Sequence, residues 1–149
     1  MQVTSPVFQH KGRIPVKYTC DGENINPPLV IGDVPEKART LALVMDDPDA
    51  PRGTFTHWTL WNIAPGARKI AENSVPAGST EGMTSFGRSG YGGPCPPAGT
   101  HRYFFKIYAL DGQLNLNSDA DKAKLEEAMR GHILDQAELV GLYSRDKAL

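Results

Sequence analysis

The apolar positions of this chain cluster in short, dense runs, and three of these runs have the character of β-strands. Thr40 to Asp46 reads Thr-Leu-Ala-Leu-Val-Met-Asp and is apolar at nearly every position, which predicts a central strand covered on both faces. Thr56 to Ile63 and His101 to Leu110 are rich in aromatic and β-branched residues and are bounded by Gly, Pro or Asp, as strands are. Weaker strand patterns lie at Val3 to Phe8, Val16 to Thr19, Leu29 to Ile31 and Leu114 to Leu116. Toward the C-terminus the period changes. Ser118 is suited to cap a helix, Asp121 stands three positions on, and a run of helix formers continues through Met129 to Gly131. Ile133, Leu134, Ala137 and Val140 then recur at helical spacing up to Gly141, predicting a second helix. The expected architecture is mainly β, a single domain over residues 1–149, with two short helices packed late against the sheet.

Alternation along a strand decides which polar side chains can converge. On the His101 to Leu110 strand, His101 and Tyr103 share a face with Phe105, Ile107 and Ala109. On the Thr56 to Ile63 strand, alternation groups His57 with Thr59, Trp61 and Ile63. Asp47 continues the face of Leu41, Leu43 and Met45. Each strand therefore ends in a polar group with apolar residues behind it. If these ends meet, Asp47, His57, His101 and Tyr103 form a small cavity with hydrophobic walls. Imidazoles and a phenol donate hydrogen bonds, and a neighbouring carboxylate favours charged histidine. That set suits a small anion such as phosphate or a phosphorylated head group. The loop Gly93-Pro-Cys-Pro-Pro-Ala-Gly99 borders the cavity, but its prolines carry no N–H, so side chains must supply much of any anion binding.

Composition narrows the alternatives. A length of 149 residues suffices for one domain with a substantial core. A formal net charge of −1 gives no broad attraction to nucleic acid or anionic membrane. No apolar run approaches the roughly 20 residues of a membrane span, and Met1-Gln-Val-Thr-Ser-Pro lacks signal-peptide character, so a cytoplasmic location is expected. The two cysteines, Cys20 and Cys95, lack CxxC spacing and are expected as separate reduced thiols. The 15 glycines and 12 prolines imply many turns between short strands.

The same residues admit other readings. Asp47-Pro-Asp-Ala-Pro51 is a strong turn sequence in itself. Two histidines and an aspartate could hold zinc, but no HExxH or His-x-His motif supports a metal site. Gly87-Arg88-Ser89-Gly90-Tyr91 ends in Tyr and so misses the nucleophile-elbow pattern. No cofactor is implied, and a weak hydrolase remains an alternative carried only by the His and Asp content.

Two blocks, Asp47-Pro-Asp-Ala-Pro51 with His57-Trp58, and Gly93-Pro-Cys-Pro-Pro-Ala-Gly-Thr-His101-Arg-Tyr103, resemble the phosphatidylethanolamine-binding protein family, also called Raf kinase inhibitor proteins, in its bacterial and archaeal branch. Tyr18-Thr-Cys-Asp-Gly-Glu-Asn-Ile-Asn-Pro-Pro-Leu29 and the segment Ala137-Glu-Leu-Val-Gly-Leu-Tyr extend the resemblance over nearly the whole chain. It implies a β-sandwich-like fold, a cis peptide at Ala50–Pro51 and a pocket for phosphate-type anions built from Asp47, Asp49, His57, His101 and Tyr103 with the Gly93 to Pro97 loop, including Cys95. Implied ligands are phosphate, phosphoethanolamine or a nucleotide-like anion. A homodimer and a protein partner, a kinase or protease inhibited through surface contacts, are further expectations of the family. The link from Pro51 to His57 is short, and Thr56 stands where the animal branch has the first His of a His-His pair. Kinase inhibition is therefore not carried over, and a non-enzymatic binding protein is the leading expectation.

Overall fold

Residues 1–145 are described by a computed structural model. Nine strands and one α-helix follow in the order β1 (Gln2–Thr4), β2 (Gly12–Arg13), β3 (Leu29–Gly32), β4 (Thr40–Asp47), β5 (Phe55–Ile63), β6 (Lys69–Ile70), β7 (Thr80–Glu81), β8 (His101–Leu110), α1 (Lys122–Met129) and β9 (Ile133–Tyr143). A six-stranded sheet has the order β2-β9-β8-β4-β5-β7, and a three-stranded sheet the order β1-β3-β6. β4 lies inside the larger sheet and is buried at every position. Its odd residues Leu41, Leu43 and Met45 join Leu29, Ile31 and Ile70 of the smaller sheet in the main core. Its even residues Ala42 and Val44 join Trp61, Leu125 and Met129 under α1 on the opposite face. A strand covered on both sides has no polar face to alternate, hence its continuous apolar run.

One of the two expected helices forms. Asp121, not Ser118, caps α1, its carboxylate accepting from the Lys124 amide at 3.0 Å, the usual satisfaction of a free helix N–H. The second expected helix is strand β9, antiparallel to β8 from Leu110↔Ile133 to His101↔Tyr143. Ala137, Leu139, Gly141 and Tyr143 also recur with period two, and Leu139 and Tyr143 enter the main core. A ten-residue β8 would otherwise present an open row of backbone donors and acceptors. Gly141 is required at this junction, since a β-carbon there would stand 2.5 Å from Ile14 Cγ1 and 2.8 Å from Phe8 Cε2. Val16 to Thr19, read as a strand, forms instead a 3-10 turn over Val16–Tyr18 behind Pro15. Leu114 to Leu116 lies outside any strand and packs beside α1. No cis peptide occurs among the described residues, so the Ala50–Pro51 bond is trans.

Candidate functional site

A cavity of about 200 Å³ opens at one end of the large sheet, where β4 ends and β8 begins. Asp47, His57, His101 and Tyr103 all line it, with Cys95 and Pro97 from the adjoining loop. Alternation alone does not bring this set together. Thr59 pairs with Val44, and Trp61 packs under α1, so a regular strand would aim His57 at that same face. Tyr103 and Phe105 belong to the opposite face, in the main core. The β4–β5 register slips between Met45 and Asp46: Met45 pairs with Trp58, whereas Asp46 pairs with Thr56. His57 is the extra residue of this β-bulge. A bulge re-aims a side chain, and here both Trp58 and His57 reach the core side. The His57 ring accordingly lies 5.3 Å from that of Tyr103.

Successive aspartates at the end of β4 diverge, as strand geometry requires. Asp46 turns toward α1 and meets Lys122 at 2.8 Å and Lys106 at 3.3 Å. Asp47 turns into the cavity, where its Oδ2 accepts from His101 Nδ1–H at 2.6 Å and its Oδ1 accepts from the Asp49 amide at 2.7 Å. His57 Nδ1–H donates to the Gly92 carbonyl at 2.7 Å. Both imidazoles thus commit Nδ1 to the protein, leaving Nε2 as the nitrogen available to a ligand. Burial holds the His57 pKa below its ordinary 6.5 by penalising the charged ring, and the Gly92 carbonyl opposes that effect. The Tyr103 hydroxyl is buried and has no hydrogen-bond partner. Burial first, and the Asp47 charge second, raise its pKa, so it stays a protonated donor.

The remaining expected residues take other places. Asp49 does not line the cavity. Its carboxylate accepts from Arg102 Nε at 2.9 Å, Arg102 Nη2 at 2.8 Å and the Arg102 amide at 2.9 Å. These bonds hold the Asp49 pKa at about 2 and tie the Asp-Pro-Asp turn to the start of β8. Gly93 is also outside the cavity wall. Its amide donates to Asn24 Oδ1 at 2.8 Å, and a β-carbon there would lie 2.2 Å from the Tyr18 carbonyl oxygen, so its role is close backbone approach.

Cys20 and Cys95, expected as separate thiols, form a disulfide with Cα atoms 5.4 Å apart. The partners are 75 residues apart in sequence, and tertiary contacts between their loops bring them together. The Cys20 amide donates to the Pro94 carbonyl at 3.1 Å, and Tyr91 Oη donates to the Tyr18 carbonyl at 2.7 Å. Spacing carries no sign of such a pairing.

Of the apolar wall formed by Ala50, Pro51, Phe55, Phe86 and Pro96, only Pro96, within the Gly93 to Pro97 loop, was assigned to the site from sequence. Pro51 and Pro96 fall inside the two motifs, and Phe55 is two residues before His57 on the same strand. Phe86 has no local signal. It is positioned by the pairing of Thr56 with Ser85, in which the Ser85 amide donates to the Thr56 carbonyl at 3.0 Å and the Thr56 amide donates to Ser85 Oγ at 2.8 Å. Its ring then meets Phe55 edge-on at 4.8 Å and His57 at 5.3 Å. Among the described residues no group of three or more His, Cys, Asp or Glu is arranged to hold a metal ion.

Comparison with known proteins agrees with the motif resemblance. The chain is 50% identical over 150 residues to a UPF0098 protein of Methanothermobacter thermautotrophicus, covering 97% of this chain and 99% of that one. A solved phosphatidylethanolamine-binding protein homolog of Chlamydia trachomatis superposes with a TM-score of 0.94 at 41% identity, covering 97% of each chain. E. coli YbcL, a member of the mammalian PEBP family, superposes with a TM-score of 0.92 at 28% identity, covering 97% of this chain and 98% of its own. The family model for the phosphatidylethanolamine-binding protein matches residues 4–144. The chain belongs to the phosphatidylethanolamine-binding protein family.

Proposed function

We propose that this protein is a non-enzymatic binding protein whose cavity takes a small phosphate-type anion, either free or as the head group of a larger molecule. The carrying observation is the Tyr103 hydroxyl, a protonated donor buried without a partner beside two imidazoles. An unmade hydrogen bond at a buried hydroxyl costs about 1–3 kcal/mol, and an anionic oxygen accepting from it would recover that. His57 and His101 supply Nε2 atoms that donate when protonated, or accept from a protonated phosphate oxygen. Phe55, Phe86 and Pro51 add apolar surface beside these donors, which lowers the local polarity and strengthens each bond. The apolar wall also offers a surface to whatever the phosphate is attached to, such as ethanolamine or a nucleoside.

A binding role fits the cavity better than hydrolysis. Tyr103 is held neutral by burial and Cys95 is bonded to Cys20, so neither presents an activated nucleophile. A protein partner is a second reading. It is favoured by the exposed stretch from Pro97 to Thr100 and the exposed Phe86 at the mouth of the cavity, a rim that an inhibited kinase or protease, or a second copy in a homodimer, could cover. A location in which the disulfide persists, an oxidising compartment or a cytoplasm where its reduction is controlled, suits the fold. No helix among the described residues is long and apolar enough to cross a membrane.

Titration with phosphate and phosphoethanolamine, followed by NMR of the imidazole Cε1–H signals, tests the reading. The His57 and His101 signals should move together and saturate. If neither moves at millimolar ligand near pH 6, the anion reading is wrong. A partner-binding surface that survives Tyr103→Phe unchanged would favour the second reading.

A further inference from the structure

We infer that the Cys20–Cys95 disulfide is a thiol–disulfide exchange site that clamps one wall of the cavity, so that a dithiol reductant controls anion binding. This inference rests on the anion reading of the same cavity. Cys95 is exposed while Cys20 is partly covered, so an incoming thiolate reaches Cys95 Sγ first. Cys95, Pro96 and Pro97 are consecutive wall residues.

What holds that wall is unequal along the loop. Its first part is tied by backbone bonds. The Gly92 amide donates to the His57 carbonyl at 3.1 Å, the Gly93 amide to Asn24 Oδ1 at 2.8 Å, and the Pro94 carbonyl accepts from Cys20 at 3.1 Å. Beyond Pro94 the pattern changes. Pro96 and Pro97 have no N–H to donate. From Cys95 to Thr100 no hydrogen bond to the rest of the described residues is made. β8 pairing resumes only at His101↔Tyr143. The disulfide is thus the covalent tether of a segment that carries three lining residues and leads directly into His101.

The chemistry balances with a dithiol. One thiolate of the reductant attacks Cys95 Sγ, the S–S bond breaks, and the electron pair leaves on Cys20 Sγ, which takes a proton from water. The second thiol of the reductant, as its thiolate, attacks the reductant's sulfur in the mixed disulfide. Cys95 leaves as a thiolate and is protonated. The protein gains two electrons and the dithiol becomes a disulfide. Freed at Cys95, the Pro96–Pro97 wall separates from the Cys20 turn, while the Gly92 contact to His57 is kept. If the oxidised form binds phosphate more tightly by some factor, phosphate opposes reduction by the same factor.

Because the chain has only two cysteines, dithiothreitol addresses this bond alone. Phosphate affinity and backbone order parameters from 15N relaxation are measured on the full chain before and after reduction, and on Cys20→Ser. We expect phosphate affinity to fall by about 5-fold or more on reduction. Backbone order parameters should fall at Cys95, Ala98, Gly99 and Thr100 and stay unchanged at Gly92 and Gly93, and Cys20→Ser should reproduce both effects. Saturating phosphate should shift the reduction equilibrium toward the disulfide by the same factor. Equal affinity in the two redox states overturns the clamp, as does a bond that resists dithiothreitol in the folded protein. Global unfolding on reduction also overturns it, since the bond would then be a general staple. If the oxidised protein fails to bind phosphate, the anion reading fails by itself, and a drop in backbone order confined to residues 95–100 still decides whether the bond is a local tether.

Discussion

His57 and Tyr103 meet edge to face, with ring centroids 5.3 Å apart and planes at 82°, although β4 lies between the strands that carry them. Strand spacing is about 4.8 Å, so their backbones stand two spacings apart and the side chains close the gap. The bulge at His57 makes the contact possible. It leaves the Tyr103 hydroxyl beside the two imidazoles, with hydrogen-bonding capacity that the protein itself does not use.

Tyr103→Phe should separate stability from binding. Removing a buried hydroxyl that lacks a partner should leave stability unchanged or raise it by about 1 kcal/mol, measured by chemical denaturation. The same change should weaken phosphate binding roughly tenfold or more, since a hydrogen bond to a charged acceptor is worth about 1.5–3 kcal/mol. A loss of stability with unchanged affinity would assign the hydroxyl to the core instead.

The depressed pKa of His57 sets the sign of a pH effect. Its folded value lies below the ordinary 6.5, so the unfolded chain binds the proton first. The stability it contributes is full above pH 6.5 and is lost as pH falls toward and through the folded value. An anion in the cavity reverses the preference by favouring the charged ring. Sulfate, which does not itself titrate in this range, should therefore bind more tightly as pH falls from 7 to 5. Calorimetry at several pH values should show proton uptake on binding, and His57→Gln should remove the part of it that belongs to this ring.

Asp49 and Arg102 form a clamp outside the cavity, so Asp49→Asn should leave phosphate affinity within about twofold. Its effect should appear in acid. The folded carboxyl titrates at about 2 against an ordinary 3.8. The stability it contributes is full above pH 3.8 and lost as pH falls through about 2. An acid-unfolding curve for Asp49→Asn should therefore be flatter between those values than that of the parent protein. A large loss of affinity would instead place Asp49 among the ligand-binding residues.

Gly141→Ala tests the pairing of the last strand. The new methyl would meet Ile14 Cγ1 at 2.5 Å and Phe8 Cε2 at 2.8 Å, and forcing atoms into a filled core typically costs about 1–3 kcal/mol. Thermal unfolding should show that loss. Ala at the same place in an exposed helix end would be neutral or stabilising, so the sign of the change distinguishes the two conformations of this segment.

The local pattern of the chain determined the core of the large sheet and the chemistry gathered at its end. β4 could be read as buried on both faces because its apolar run allows no other placement. His101 and Tyr103 could be read as sharing a face because strand alternation is a short-range property, whereas their meeting with Asp47, 54 residues from His101, stood only on the condition that the strand ends meet. What depended on distant contacts was not legible. Ile133 to Tyr143 satisfies helical and strand periods alike, and only the open edge of β8 selects the strand. His57 reaches Tyr103 through a one-residue register slip that alternation cannot foresee. Asp49 turns outward because Arg102, 53 residues away in sequence, offers it a bidentate partner. The Cys20–Cys95 bond and the place of Phe86 likewise depend on which loops the folded core brings side by side. Sequence thus determined propensity and chemistry within a few residues, whereas register, pairing and the shape of the cavity were decided by packing between segments remote along the chain.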